Sequence, residues 1–236
     1  MKIKISEKFL TVQGEGMWAG VPSAFVRTSG CNLRCWWCDT PYTSWAPEGQ
    51  AEELGNVIQW CNAQPVQDVV ITGGEPMLFS GFMAILVDKL HLMGRRVTIE
   101  TNGTRFNLSV EPDLWSISPK LASNSAPFKP EHAREREMHL SNMGVDLQPF
   151  LTQRARLPRC KIQVKFVICN DQDLTDVAVF QTTYRLRGSD IWLMPEGVTA
   201  EKVLDGGRKL AEVCKQTGYN LCLRQHVLLW GHKRGV

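Results

Sequence analysis

The chain has 236 residues, 43% of them hydrophobic and 22% charged, which is the balance of a globular protein with a sizeable core and excludes a disordered or membrane-embedded one. A formal charge of +3 is too small to mark a nucleic-acid binder, though it suits a small anionic substrate. No apolar run approaches the ~20 residues of a membrane span, and the opening MKIKISEKF alternates charged and apolar residues without a signal-peptide core. The expected setting is therefore the cytoplasm, with no membrane and no nucleic-acid partner.

In chain order, Ser23–Thr28 and Asp68–Thr72 read as strands, each followed by a glycine-containing turn. Phe79–Met93 carries Phe82, Ile85, Leu86, Leu90 and Met93 at helical spacing and stops at Gly94. Arg96–Glu100, Asp113–Ile117, Ile162–Ile168 and Asp190–Leu193 continue the strands, with a short last one at Asn220–Leu223. Helices fit Leu174–Tyr184 and Thr199–Gln216. The polar stretch Ala122–Gly144 has no clean period and reads as a surface excursion. Strands alternating with helices predict a parallel sheet with right-handed crossovers. About six units in a single domain over residues 1–236 predict an α/β fold, a partial (β/α) barrel rather than a complete eightfold one.

Three of the eight cysteines, Cys31, Cys35 and Cys38, fall within eight residues. Without a secretory signal a disulfide framework is not expected, so the trio points to metal or catalysis. Thiolates favour zinc, copper(I) or iron–sulfur clusters. A closed zinc site needs a fourth ligand, which Asp39 offers, but Cys61 and His91 lie in no paired zinc pattern. An iron–sulfur cluster normally takes four thiolates, so three leave one iron open, and an open position signals catalysis. The remaining cysteines, Cys61, Cys160, Cys169, Cys214 and Cys222, read as small buried core residues. His132 and His139, in the charged excursion, read as exposed, and His226 as a packed structural histidine, with an approach to the substrate as its other reading.

Cys31-x3-Cys35-x2-Cys38 resembles the signature of the radical S-adenosylmethionine enzymes, and it follows the first predicted strand, as in that family. The resemblance implies a 4Fe-4S cluster on these cysteines. Its open iron would hold S-adenosylmethionine, whose reductive cleavage gives a 5′-deoxyadenosyl radical that takes hydrogen from the substrate. Thr72-Gly73-Gly74-Glu75-Pro76 resembles the family's glycine-rich segment beside the methionine end of the cofactor, although such a segment also occurs as a bare turn.

Further segments narrow the resemblance: Val12-Gln13-Gly14-Glu15-Gly16, Arg27, Asp39-Thr40, Glu100-Thr101-Asn102-Gly103-Thr104 and Ser118-Pro119-Lys120. All lie in or beside the strands, mostly at their ends, where α/β folds gather their sites. In this order they resemble the 7-carboxy-7-deazaguanine synthase family. That implies conversion of 6-carboxy-5,6,7,8-tetrahydropterin to 7-carboxy-7-deazaguanine with loss of ammonia, on the route to 7-deazapurines such as queuosine. It also implies dependence on Mg2+, an electron donor such as flavodoxin, and a homodimer, for which the Val227–Trp230 run is one candidate surface.

The same resemblance assigns Val12, Gln13, Gly14, Glu15 and Thr72 to the substrate, and Arg27 to its carboxylate; an ordinary ion pair is the other reading of Arg27. Thr40 is assigned to magnesium, with a simple Asp39-Thr40-Pro41 turn as the alternative. Trp37, Cys38, Asp39, Gly74, Glu75, Ser118, Pro119, Lys120, Met194, Pro195, Glu196 and Gly197 are assigned to the cofactor. The competing functions are a radical activase acting on a glycyl-radical partner protein and a non-catalytic zinc-binding interaction module.

Overall fold

Nine strands form one open sheet in the computed structural model, which describes residues 1–236. They are β1 (Lys2–Val12), β2 (Pro22–Thr28), β3 (Gln50–Glu53), β4 (Asp68–Gly73), β5 (Arg96–Thr101), β6 (Leu114–Ile117), β7 (Lys161–Ile168), β8 (Ile191–Pro195) and β9 (Asn220–Leu221). The order across the sheet is β3-β1-β2-β4-β5-β6-β7-β8-β9. From β2 through β9 every neighbouring pair is parallel, whereas β1 runs antiparallel to both β2 and β3. The two edge strands do not meet, so the barrel is partial, as the count of βα units predicts. The antiparallel strands β1 and β3 extend one edge of the expected parallel set.

Eight helices accompany the strands: α1 (Pro41–Ser44), α2 (Leu54–Asn62), α3 (Ser80–Leu92), α4 (Ala133–Asn142), α5 (Gln148–Arg156), α6 (Asp171–Tyr184), α7 (Ala200–Thr217) and α8 (Gln225–Trp230). Alternate residues of each strand face them. Ala24 and Val26, Val69 and Ile71, Val97 and Ile99, and Val164 and Phe166 join one core with Phe82, Met83, Leu86, Val87 and Leu90 of α3. Apart from Ala24, each such side chain contributes roughly 1.5–3 kcal/mol relative to exposure. The buried stripe of α3 is thus 82/83/86/87/90, while Ile85 and Met93 are exposed. One residue's rotation is 100°, enough to carry Ile85 off the face that Leu86 holds.

The opposite face of the sheet is polar at most of the alternate positions that remain: Arg27 on β2, Thr72 on β4, Glu100 on β5, Ser116 on β6, and Gln163 and Lys165 on β7. A helix-covered interior does not need such groups. They mark the inner wall as a site.

A register shift in β1 matters to that wall. Ile5 pairs with Thr28 and Glu7 pairs with Arg27, so one extra residue, Ser6, is bulged out. Because side chains alternate, one inserted residue moves the rest of the strand to the other face. Ile3 and Ile5 therefore join the helix-side core, whereas Glu7, Phe9 and Thr11 turn to the inner side with Arg27 and Phe25.

The excursion after β6 is more structured than its composition predicts, since it contains α4. His139 on α4 is fully buried, not exposed. Its Nδ1 accepts from the Arg34 backbone N–H at 3.0 Å. The neutral ring's proton is then on Nε2, 3.0 Å from Ser125 Oγ, which donates in turn to the Leu121 carbonyl at 2.6 Å. His132 is half-buried against Trp45. Cys169, expected in the core, is exposed.

Candidate active site

The loop after β2 carries the three cysteines. Cys35 is buried, Cys31 and Cys38 partly so, and none is in a disulfide. All three line one cavity of about 290 Å³ at the carboxyl ends of the parallel strands. Three soft thiol donors facing one space fit an iron–sulfur cluster. No three His, Cys, Asp or Glu side chains are grouped tightly enough to hold a single metal ion, so the thiols as arranged do not make a closed mononuclear site. Burial pushes the Cys31 thiol up to about 11 and Cys35 to about 12. Their protons therefore stay on until a metal displaces them.

The loop is fixed by its neighbours. Gly74 N–H donates to the Thr28 carbonyl at 3.1 Å, Glu75 N–H to Gly30 at 2.8 Å, and Gly30 N–H to Thr43 at 2.8 Å. A Cβ on Gly74 would sit 2.2 Å from the Gly30 carbonyl oxygen, and Gly73 has φ of +147°. The two glycines thus let the end of β4 press backbone-to-backbone on the start of the cysteine loop. Trp36 and Trp37 both donate their indole N–H to the Asn124 carbonyl, at 2.6 and 2.8 Å. Trp37 lines the cavity, whereas Trp36 is exposed and packs edge-on against Phe128. Cys38 also borders a second, outer groove lined by Trp36, Trp45, Phe128, Lys129 and His132.

The same cavity holds a chain of paired, mostly buried charges that reaches Asp39, the residue after Cys38. Lys165 Nζ is 2.7 Å from Glu15 Oε2 and 3.5 Å from Glu100 Oε1. Arg224 reaches Glu15 at 3.3 Å, also binds Asp39, and donates to the Gly197 carbonyl at 2.7 Å. Burial alone would raise the pKa of Glu15, but Lys165 and then Arg224 beside it outweigh that and hold it well below the usual carboxylate range. Burial likewise opposes charge on Lys165, and Glu100 and Glu15 reverse the effect and raise its pKa. The site is therefore ionised and internally paired. Thr72 Oγ1 donates to Glu100 Oε2 at 3.0 Å.

Of the sequence-predicted residues, Val12, Gln13, Gly14, Glu15, Arg27, Trp37, Cys38, Asp39, Thr40, Thr72, Gly74, Ser118, Lys120 and Met194 line this cavity. Pro119, Pro195, Glu196 and Gly197 do not. Gln13 contributes little free polarity: its amide nitrogen donates to Glu100 at 3.2 Å, and its oxygen accepts from Glu15 N–H at 3.1 Å. Glu75 departs furthest from its expected role. It is fully buried and outside the cavity lining, accepting from Met77 N–H at 2.9 Å, Thr101 Oγ1 at 2.7 Å and Asn102 N–H at 2.6 Å. Those donors tie the end of β4 to β5 and its following loop. Lys120 folds onto its own loop, donating to the Ser118 carbonyl at 2.9 Å and to Ser118 Oγ at 2.7 Å, with Trp37 beneath it.

Sequence reasoning passed over Lys165 and Arg224, weighed His226 as a packed residue or one near the substrate, and named Glu100 only within its motif. Lys165 had a signal, being a charge inside the apolar strand KIQVKFVI, where it is 3% exposed. Arg224 had none, because its partners Glu15 and Asp39 lie far off in the chain. His226 lines the cavity and is held by Gly14, where a Cβ would come within 2.1 Å of its ring. Burial depresses its pKa. The last six residues, 231–236, also line the cavity.

Residues 25–135 match the model of the Radical SAM superfamily. With an open parallel sheet and a three-cysteine cavity at its carboxyl edge, this defines the chain as a radical S-adenosylmethionine enzyme, for which a 4Fe-4S cluster and S-adenosylmethionine are the cofactors. The 7-carboxy-7-deazaguanine synthase of Rhodopirellula baltica is 39% identical over 98% of this chain and 88% of its own. That of Halobacterium salinarum is 36% identical over 97% and 90%. The crystal structure of QueE from Escherichia coli superposes with a TM-score of 0.67 at 25% identity, covering 96% of this chain and 95% of the other. The chain belongs to the 7-carboxy-7-deazaguanine synthase family. Membership displaces both rival readings, the glycyl-radical activase and the zinc module.

Proposed function

We propose that the chain converts 6-carboxy-5,6,7,8-tetrahydropterin to 7-carboxy-7-deazaguanine with loss of ammonia. The observation that carries this reading is the placement of the three thiols and a balanced, buried polar wall in one cavity. Cys31, Cys35 and Cys38 would hold the cluster, with Trp37, Gly74, Ser118, Lys120 and Met194 around S-adenosylmethionine. When bound, these cofactors supply hydrogen abstraction from the substrate.

The protein's own groups bind and orient. Arg27 gives its Nε to Glu7 at 2.7 Å, and neither Nη makes a hydrogen bond within the protein. That free edge of the guanidinium is a planar fork matched to the substrate carboxylate. Glu15, kept ionised, has lone pairs beyond those used by Lys165 and Arg224 and accepts from the N–H edge of the pterin. An analogue lacking those N–H groups would leave the carboxylate unpaired, which is the basis of rejection. Gln13 and Thr72 keep Glu100 oriented from two sides.

Thr40 supports a magnesium site. Its Oγ1 faces the cavity beside Cys38, whereas Asp39 is committed to Arg224. One hard oxygen, completed by substrate and water, is a normal protein share for magnesium. Exposure of Leu229 and Trp230 on α8, at 62% and 43%, supports a homodimer. No helix is long and apolar enough to cross a membrane, and we read the setting as cytoplasmic, with reduction by a donor such as flavodoxin.

The test is anaerobic turnover of the reduced, reconstituted enzyme with the carboxypterin, with and without magnesium. Deazapurine absorbance that grows and is stimulated by magnesium is the expected result. Cofactor cleavage without that product overturns the reading.

A further inference from the structure

Residues 231–236 lie along the cavity, and one side chain holds them there. Arg234 Nε donates to Glu7 Oε2 at 3.2 Å, Nη1 to Glu48 Oε2 at 2.9 Å, and Nη2 to Ser6 Oγ at 3.3 Å. Its guanidinium also stacks 3.8 Å from the centre of the Tyr42 ring. A single exposed ion pair is worth little, but several contacts on one planar guanidinium act together. His232 adds a bond to the Asp39 carbonyl at 3.0 Å.

Glu7 is the common partner. Besides Arg234 it accepts from Arg27 Nε at 2.7 Å and from the Tyr42 hydroxyl at 2.9 Å. Its side chain is 14% exposed and that of Arg27 17%. The β1 bulge at Ser6 is what turns Glu7 to the cavity side, and Ser6 itself meets Arg234. One carboxylate thus joins the anion-facing arginine, the helix that follows the cysteine loop, and the tail.

We propose that Glu7 and Arg234 form a clasp that sets the rotamer of Arg27 and holds residues 231–236 across the cavity mouth, making both positioning residues for capture of an anionic substrate. This rests on the reading of Arg27 under the proposed function. Neither residue touches the reacting atoms. Their effect falls on how often Arg27 presents its free edge and how often the mouth is covered.

The experiment compares wild type, Glu7→Gln, Arg234→Ala and Arg234→Lys as reconstituted enzymes. Native-state cleavage after Lys233 by a lysine-specific endoprotease is measured together with KM and kcat for the carboxypterin. Glu7→Gln keeps the shape and removes the charge. It is expected to raise KM about tenfold, the size of a lost charge-assisted hydrogen bond, with kcat within about twofold. Cleavage after Lys233 should accelerate in Glu7→Gln and Arg234→Ala, with partial recovery in Arg234→Lys, which restores charge but not the fork. Arg234→Ala alters a surface residue and keeps the test valid should Glu7→Gln fold poorly. Unchanged cleavage in Arg234→Ala, or a kcat loss without a KM change in both Glu7→Gln and Arg234→Ala, overturns the clasp. If wild type makes no product, the functional reading falls, and cleavage alone decides the clasp: faster in the variants upholds it, unchanged refutes it.

Discussion

Lys165 on β7 and Glu15 in the loop after β1 meet 2.7 Å apart inside the barrel, with side chains 4% and 14% exposed. The pair bridges segments that the sheet order keeps five strand positions apart, β1 and β7. Removing one member of a buried pair leaves an uncompensated charge, so Lys165→Met should lose about 3–5 kcal/mol of stability in denaturant titration. Replacing Lys165, Glu15 and Glu100 together by neutral residues of similar size should cost less than that single change. A single variant as stable as wild type would show that the pair does not organise the wall.

Cys35→Ala should abolish cluster assembly and leave a soluble, folded chain. Cys35 is buried in the loop after β2, outside the strand–helix core cluster, and its sulfur makes no hydrogen bond. Iron and sulfide analysis after anaerobic reconstitution, with circular dichroism, reads both parts. Full cluster absorbance in the variant would contradict the three-thiol assignment.

His139 predicts a pH dependence of stability. Burial, then the Lys120 charge, lowers its pKa from 6.5 to about 4. Between about pH 6.5 and 4 the unfolded chain therefore binds more protons than the folded one, so stability falls as pH falls through that window. The full difference amounts to roughly 3 kcal/mol. His139→Gln should flatten this slope, because Gln keeps an acceptor for Arg34 N–H without titrating. An unchanged slope in the variant would assign it to other groups.

Thr40→Val tests the magnesium proposal. It keeps the shape and removes the hydroxyl oxygen, so stimulation of turnover by added magnesium should be lost, or require concentrations raised tenfold or so. Thr43 Oγ1 keeps its other acceptor, the Thr40 carbonyl at 2.8 Å, so the turn into α1 should persist. Wild-type magnesium response in this variant would remove Thr40 from the site.

The legible parts of the fold were those whose burial is continuous. DVVITG, RVTIET and KIQVKFVI are apolar enough to announce β4, β5 and β7. β1 was hidden by its bulge, because the period breaks at Ser6 and the two halves face opposite ways. β3 is four residues, QAEE, at an edge, with no apolar side to betray it. α4 was obscured by its charges, since only His139 among its residues is fully buried. At the site, cysteine spacing and strand-end motifs were local and readable. What Glu75 does was not, because its partners Thr101 and Asn102 come from the next strand and its loop, and only folding brings them near. Motifs name residues; they do not say which are already spoken for.

Cys38 is shared between the inner cavity and the outer groove of Trp36, Trp45 and Phe128. At that point the wall is one residue thick. With Cys38 as a cluster ligand, as proposed, dissolved oxygen in the groove reaches that residue without entering the inner cavity. Filling the chamber with ligand thus shelters the loop from one side only, and the aromatic rings outside are its remaining shield against air.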